Sequence, residues 1–216
     1  MYKNSYRDKL RILLIFYYFS KEISVSSELY PEYLKVFKSE VKIQKIDFLI
    51  RYPDYLANEL LNLAEEKDIN KEQIKQHVKS IFKTNEPELR REDMLRYFFG
   101  AYEEIDHIIS FLVSFGFIKF ESRRNVSGRV FDKVYYLSKY GIDKIEKDIL
   151  QNIENVAWYQ QRMLLIKEFF GDLSGTELKT RQYEYEQYRT TPINQYIQGI
   201  QHEVRAKYIK IFGEEL

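Results

Sequence analysis

The chain has no cysteine among its 216 residues, so it can build neither a disulfide framework nor a thiolate metal site. A reducing cytoplasm is the expected location. Histidine is scarce as well: His77, His107 and His202 are scattered, which argues against a zinc cage. The eight glycines never gather around a lysine, so the loop whose backbone amides close on a nucleotide's phosphates is missing. Neither sign of charge dominates. The 34 Lys and Arg face 33 Asp and Glu, and no overall field would draw nucleic acid from a distance. Contact with phosphate would have to come from a local patch. The most apolar run, residues 10–19, contains Arg11 and is too short to cross a bilayer, which takes about 20 residues. No small-residue cleavage site follows it, as one would in a secretory signal. It therefore reads as a core helix, and no membrane partner is expected. No cluster of catalytic groups stands out, so the expectation is a protein that is not an enzyme and takes no cofactor and no metal.

What is present is apolar and aromatic: 44% of residues are hydrophobic, with 19 Tyr and 15 Phe, enough to fill a packed core. Leu10, Leu13, Leu14 and Tyr17 recur at helical spacing after Ser5 and Asp8, a candidate cap. The spacing next predicts a helix over 33–52, ended by Pro53, which opens another helix carrying Leu56, Leu60, Leu61 and Ala64. Asn70 and Gln73 form a capping box for a helix with Ile74, Val78, Ile81 and Phe82 inside. Residues 84–88 read as a linker.

From about residue 93 the pattern changes. A short helix over 94–99, a turn at Gly100 and a helix over 103–115, with Ile105, Ile108, Ile109 and Leu112 on one face, give a helix-turn-helix. Gly116 suits a C-cap, and 117–121 switch to period two. A second strand over 130–137 follows turn residues at 125–128, predicting a hairpin, and Ser138 caps the helix after it. This order, and the sequences Ile109 to Ile118 and Tyr135 to Gly141, resemble the winged-helix family. Helices over 149–170, from the capping box Ser174–Glu177, and over 193–212 from Thr191 and Pro192 complete the chain. The expected fold is mainly α: an N-terminal helical bundle packed on a winged helix-turn-helix with a two-stranded β-hairpin, followed by C-terminal helices. The regions are 1–84, 90–150 and 151–216.

Two groups of side chains are candidates for contact. Lys119, Arg123, Arg124, Arg129 and Lys133 gather basic charge on the hairpin, where guanidinium groups could take DNA phosphates bidentately, without sequence preference. Glu103, Glu104, Asp106 and His107 open the predicted recognition helix. Negative charge suits a helix N-terminus but repels phosphates, so this end is expected to face protein.

Three longer stretches resemble the middle component of bacterial ABC three-component conflict systems, the group that includes Lamassu-type defence. They are Lys45-Ile46-Asp47-Phe48-Leu49-Ile50-Arg51-Tyr52-Pro53-Asp54-Tyr55-Leu56, Met94-Leu95-Arg96-Tyr97-Phe98-Phe99-Gly100-Ala101-Tyr102 and Gly171-Asp172-Leu173-Ser174-Gly175-Thr176-Glu177-Leu178-Lys179. The resemblance implies an accessory subunit without catalytic residues. Its partners would be a coiled-coil ATPase similar to structural-maintenance-of-chromosomes (SMC) proteins and an effector nuclease, in anti-phage or anti-plasmid defence. A winged-helix DNA-binding transcription regulator is the alternative reading.

Overall fold

A computed structural model describes residues 5–23, 31–66, 70–98, 100–124, 126–128 and 130–216. In chain order the elements are α1 (Ser5–Phe19), β1 (Lys21–Glu22), β2 (Tyr33–Phe37), α2 (Glu40–Arg51), α3 (Pro53–Glu65), α4 (Lys71–Lys83), α5 (Glu86–Leu89), β3 (Arg96–Tyr97) and β4 (Gly100–Ala101). Then come α6 (Asp106–Ser114), β5 (Ile118–Arg124), β6 (Val130–Ser138), α7 (Lys139–Lys144), a π-helical turn (Ile145–Ile149), α8 (Leu150–Asn152), α9 (Val156–Phe170), α10 (Gly175–Glu184), α11 (Glu186–Thr190) and α12 (Gln201–Phe212). The protein is mainly helical, with a small antiparallel sheet.

The chain divides into two compact units, one of residues 1–47 and 104–178, the other of 48–103 and 179–216. Both interleave along the sequence, so they cut across the expected regions 1–84, 90–150 and 151–216. A region-by-region reading assumes that neighbours in sequence share a core, and here distant segments do.

In the first unit, an antiparallel sheet of order β1-β2-β6-β5 is joined by α1, which packs on α6 and α9. Phe16 of α1 meets Phe37 of β2 and Tyr135 of β6 at ring distances of 5.7 and 4.9 Å, while Ile108, Ile109 and Leu112 bury the inner side of α6. Residues 33–37 are a strand, not the start of the helix expected over 33–52. Their backbone pairs with β6, a hundred residues away, and the helix starts only after Ser39, whose hydroxyl accepts the Lys42 amide at 3.1 Å. Arg11 is buried inside this unit, where its guanidinium binds the Asp47 carboxylate and, at 2.8 Å, that of Asp8. Ser174 and Glu177 form the expected reciprocal box at 2.7 and 3.2 Å. The helix expected over 149–170 is interrupted at 153–155, where Ile153 is extended.

In the second unit, α3 is buried on nearly every side and packs against α4 and α12. A helix surrounded in this way buries polar residues too, here Asp54, Asn58 and Glu59, and these need partners. Asp54 accepts from the Ile200 amide at 2.6 Å, and Glu59 accepts from Arg181 at 2.6 Å and the Tyr185 hydroxyl at 2.7 Å. Phe48 stacks on Tyr52 at 4.5 Å and meets Tyr55 and Tyr188 edge-on. Many of the aromatics are thus core. The Asn70 side chain caps α4 as expected, accepting from the Gln73 amide at 3.2 Å.

Three expectations fail in this unit, two of them because long-range partners claim the backbone. Of the helix expected over 94–99, residues 94–98 are not helical, and Phe99 lies outside the described residues. The Met94 amide donates to the Tyr52 hydroxyl at 2.9 Å, that of Arg96 donates to the Gln195 carbonyl at 2.9 Å, and Gly100 has φ +99°. Residues 193–197 pair with this segment instead of opening a helix, which begins at Gln201. Residues 84–88 are not a linker, since Glu86 and Pro87 are buried in the short α5.

Candidate nucleic-acid and protein interface

Strands β5 and β6 form the expected hairpin, in register from Ile118 opposite Leu137 to Arg123 opposite Asp132, with an irregularity before Arg124 opposite Val130. Gly128 at the tip has φ +79°, a conformation that glycine adopts without strain. At the other end, Ser138 locks the strand to the helices. Its hydroxyl donates to the Gly116 carbonyl at 2.6 Å and accepts the Gly141 amide at 2.9 Å, so one side chain caps α7 and holds the end of α6. Gly116 itself has φ +72°, as a helix C-cap requires.

Of the five basic residues, the structure describes the side chains of Lys119 and Lys133. The Lys119 ammonium pairs with Glu121 on the same strand at 2.8 Å. Lys133 binds Glu40 at the start of α2 and lies 3.8 Å from Asp106 at the start of α6. Both cations are therefore engaged by the protein's own carboxylates. The backbone of Arg123 and Arg124 lies at the end of β5 nearest the tip. Arg129 lies outside the described residues, as do the side chains of Arg123 and Arg124. Val126 is fully exposed at the tip.

The acidic group is also split. Glu103 and Glu104 precede the helix, which begins at Asp106, three residues later than the spacing suggests. Glu103 is held by the Arg51 guanidinium, which also donates to the carbonyls of Glu92 at 3.1 Å and Asp93 at 2.7 Å. Glu104, Asp106 and His107 are exposed. Further along the outward side of α6 stand Ser110, Val113 and, just past its end, Phe115, the last two 41% and 57% exposed. The Phe115 ring lies 4.5 Å from that of Phe111, and the Lys9 ammonium sits 4.1 Å over Phe111. Helical spacing marked the inward side of this helix, Ile105, Ile108, Ile109 and Leu112, and did not single out Val113 and Phe115. The helix itself, Asp-His-Ile-Ile-Ser-Phe-Leu-Val-Ser, contains no lysine or arginine.

Among the described residues there is no group of three or more His, Asp or Glu side chains able to hold a metal ion, and no helix long and apolar enough to cross a membrane. Comparison with protein-family models, with curated proteins and with solved structures finds no match.

Proposed function

We propose that this chain is a non-catalytic accessory subunit whose first unit is a winged-helix module that docks on protein through α6. The elements α1, β2, α2, α6, β5 and β6 follow in the helix-strand-helix-helix-strand-strand order of that module, and β2-β6-β5 is its strand order. On this reading α2 takes the place assigned to residues 94–99 in the sequence, and residues 52–103 are an insertion between the second and third helices. The observation that carries the protein-docking role is the outward side of α6. The helix itself offers Asp106, His107, Ser110 and Val113, with Phe115 just past its end, and no lysine or arginine of its own, whereas a helix reading a DNA groove uses such donors for base edges and phosphates. A carboxylate at its N-terminus repels phosphate, and exposed Val113 and Phe115 suit the apolar centre of a protein contact.

The partners come from the resemblance: an SMC-like coiled-coil ATPase and an effector nuclease, with DNA backbone bound, without sequence preference, by the hairpin tip. A coiled-coil ATPase gene beside this one would supply the partner, and co-expression with its product tests the reading. The two should co-elute, and Val113→Arg with Phe115→Arg should abolish co-elution while leaving the melting curve unchanged. Co-elution that survives the double variant refutes docking through α6. Tight selection of one duplex over an unrelated one by the isolated chain would replace this reading with that of a transcription regulator.

A further inference from the structure

In the second unit, three short segments form an antiparallel sheet with β3 in the middle. Arg96 pairs with Ala101 on one side, and Leu95 bridges Tyr196 on the other. The Asn194 amide donates to the Arg96 carbonyl at 2.8 Å, that of Ile197 donates to Met94 at 3.1 Å, and that of Tyr102 donates to Leu95 at 3.3 Å. Side chains alternate across a pleated strand, so this sheet has two faces. One carries Met94, Ala101 and Ile197, all buried, and Arg96 turns to this side to donate to the Thr191 carbonyl. The other carries Leu95, Tyr97, Tyr102 and Tyr196, which are 40, 44, 38 and 49% exposed. The Tyr97 ring lies 5.7 Å from that of Tyr102 and 5.1 Å from that of Phe98, which stands at the turn and is 65% exposed.

This reverses the usual arrangement, in which an antiparallel sheet resting on a core turns polar residues to water. A contiguous exposed apolar patch of this kind marks a contact surface. Its chemistry narrows the occupant. Position 194, opposite Tyr97 on the same face, is Asn, and the face holds no charged residue. Stacked aromatics alone do not hold a nucleic acid strand, which also needs cations along its backbone, and a membrane surface likewise favours Lys and Arg beside the apolar groups. Aromatic enrichment with depletion of charge is the composition of a protein contact's centre.

We propose that this face binds the same face of a second copy of the chain. A two-fold contact brings each patch against itself, so any charge it carried would meet its like; this face carries none and meets itself without repulsion. Its size suits a small contact. Four aromatic side chains of about 150–250 Å² each, roughly half exposed, offer about 400 Å², and with Leu95 two copies would together bury roughly 800–1,000 Å², the small end of specific interfaces, where contacts are weak and transient. The dimer is weak, at the roughly micromolar end for such areas.

Sedimentation velocity of the full chain, from low micromolar to several hundred micromolar, tests this. The wild type should pass from monomer to dimer over that range. Tyr97→Glu and Tyr196→Glu, at two places on the face, should each weaken the dimer about a hundredfold or more by setting like charges across the axis, with near-ultraviolet circular dichroism confirming the fold. Tyr97→Phe should dimerise as the wild type does, and so should Val113→Arg with Phe115→Arg, which lie in the other unit. A wild type that stays monomeric throughout overturns the proposal, and so does a folded Tyr97→Glu that dimerises like the wild type. If Tyr97→Glu does not fold, Tyr196→Glu decides on the same terms.

Discussion

Replacing Asp47 by Asn should be the most informative single change in the first unit. Arg11 and Asp47 are each 2% exposed, and the guanidinium binds Asp47 and Asp8. Removing one member of a buried pair costs about 3–5 kcal/mol, mostly because the remaining charge keeps its desolvation penalty. Asp8 stays in place at 2.8 Å and is 16% exposed, so it compensates Arg11 in part and the loss should fall near ~3 kcal/mol. For a chain of this size that is a fall of about 6–12 °C in melting temperature. The single tryptophan, Trp158 in α9, belongs to the same unit, so its fluorescence during urea unfolding reports the affected core. The double variant Arg11→Met with Asp47→Leu removes both charges and fills their volume, and it should recover most or all of the loss. An Asp47→Asn variant within about 1 kcal/mol of wild type, or a double variant no better than the single one, would refute the view that this pair is held at the cost of desolvation.

Ile108→Asp and Leu112→Asp each put a carboxylate on the buried side of α6, at positions 2% and 1% exposed, and should cost about 3 kcal/mol or more in the same urea titration. Gly141→Ala should destabilise by roughly 1–3 kcal/mol, since the new Cβ would lie 2.7 Å from the Phe117 carbonyl oxygen, a backbone atom with little room to yield. Asp54 has its carboxyl pushed above the ordinary 3.8, first by burial, so the native state holds its proton more tightly than the unfolded chain does. Its contribution is complete below that ordinary value and is lost as pH rises through the raised one; Asp54→Asn should remove this falling component from stability measured by urea unfolding between about pH 3 and 7. If the hairpin tip holds DNA backbone, Arg123, Arg124 and Arg129 changed together to Glu should weaken binding to two unrelated duplexes equally and flatten the salt dependence by about 0.9 per lost contact. Unchanged affinity and slope would remove DNA from the reading.

The Asn70 cap, the Ser174–Glu177 box, the Gly116 turn and the hairpin with Ser138 at its end were legible in the amino-acid order, because each is decided by residues within a few positions of one another. The inward side of α6, with Ile108, Ile109 and Leu112, was legible for the same reason: helical spacing is a local signal. The outward side of that helix was only half visible, since its acidic start could be read but the exposure of Val113 and Phe115 depends on what packs nearby. That Lys133 is engaged by Glu40 and Asp106 was hidden from the sequence, because those partners come from distant segments, whereas Glu121 stands two residues from Lys119 on the same strand.

What the sequence determined by itself is therefore the set of local stops and starts, the apolar stripes, and the absence of cysteine chemistry and of a glycine-rich phosphate loop. The tertiary structure alone decided that 33–37 and 94–97 are extended, that Arg11 belongs in a core, and that two interleaved units divide the chain. A helix satisfies its backbone from within four residues, so its pattern is written locally. A strand takes its hydrogen bonds from another segment, here β6 for β2 and residues 194–197 for 94–96, and a buried charge takes its partner from another helix. No short window of sequence contains both members of such a pair.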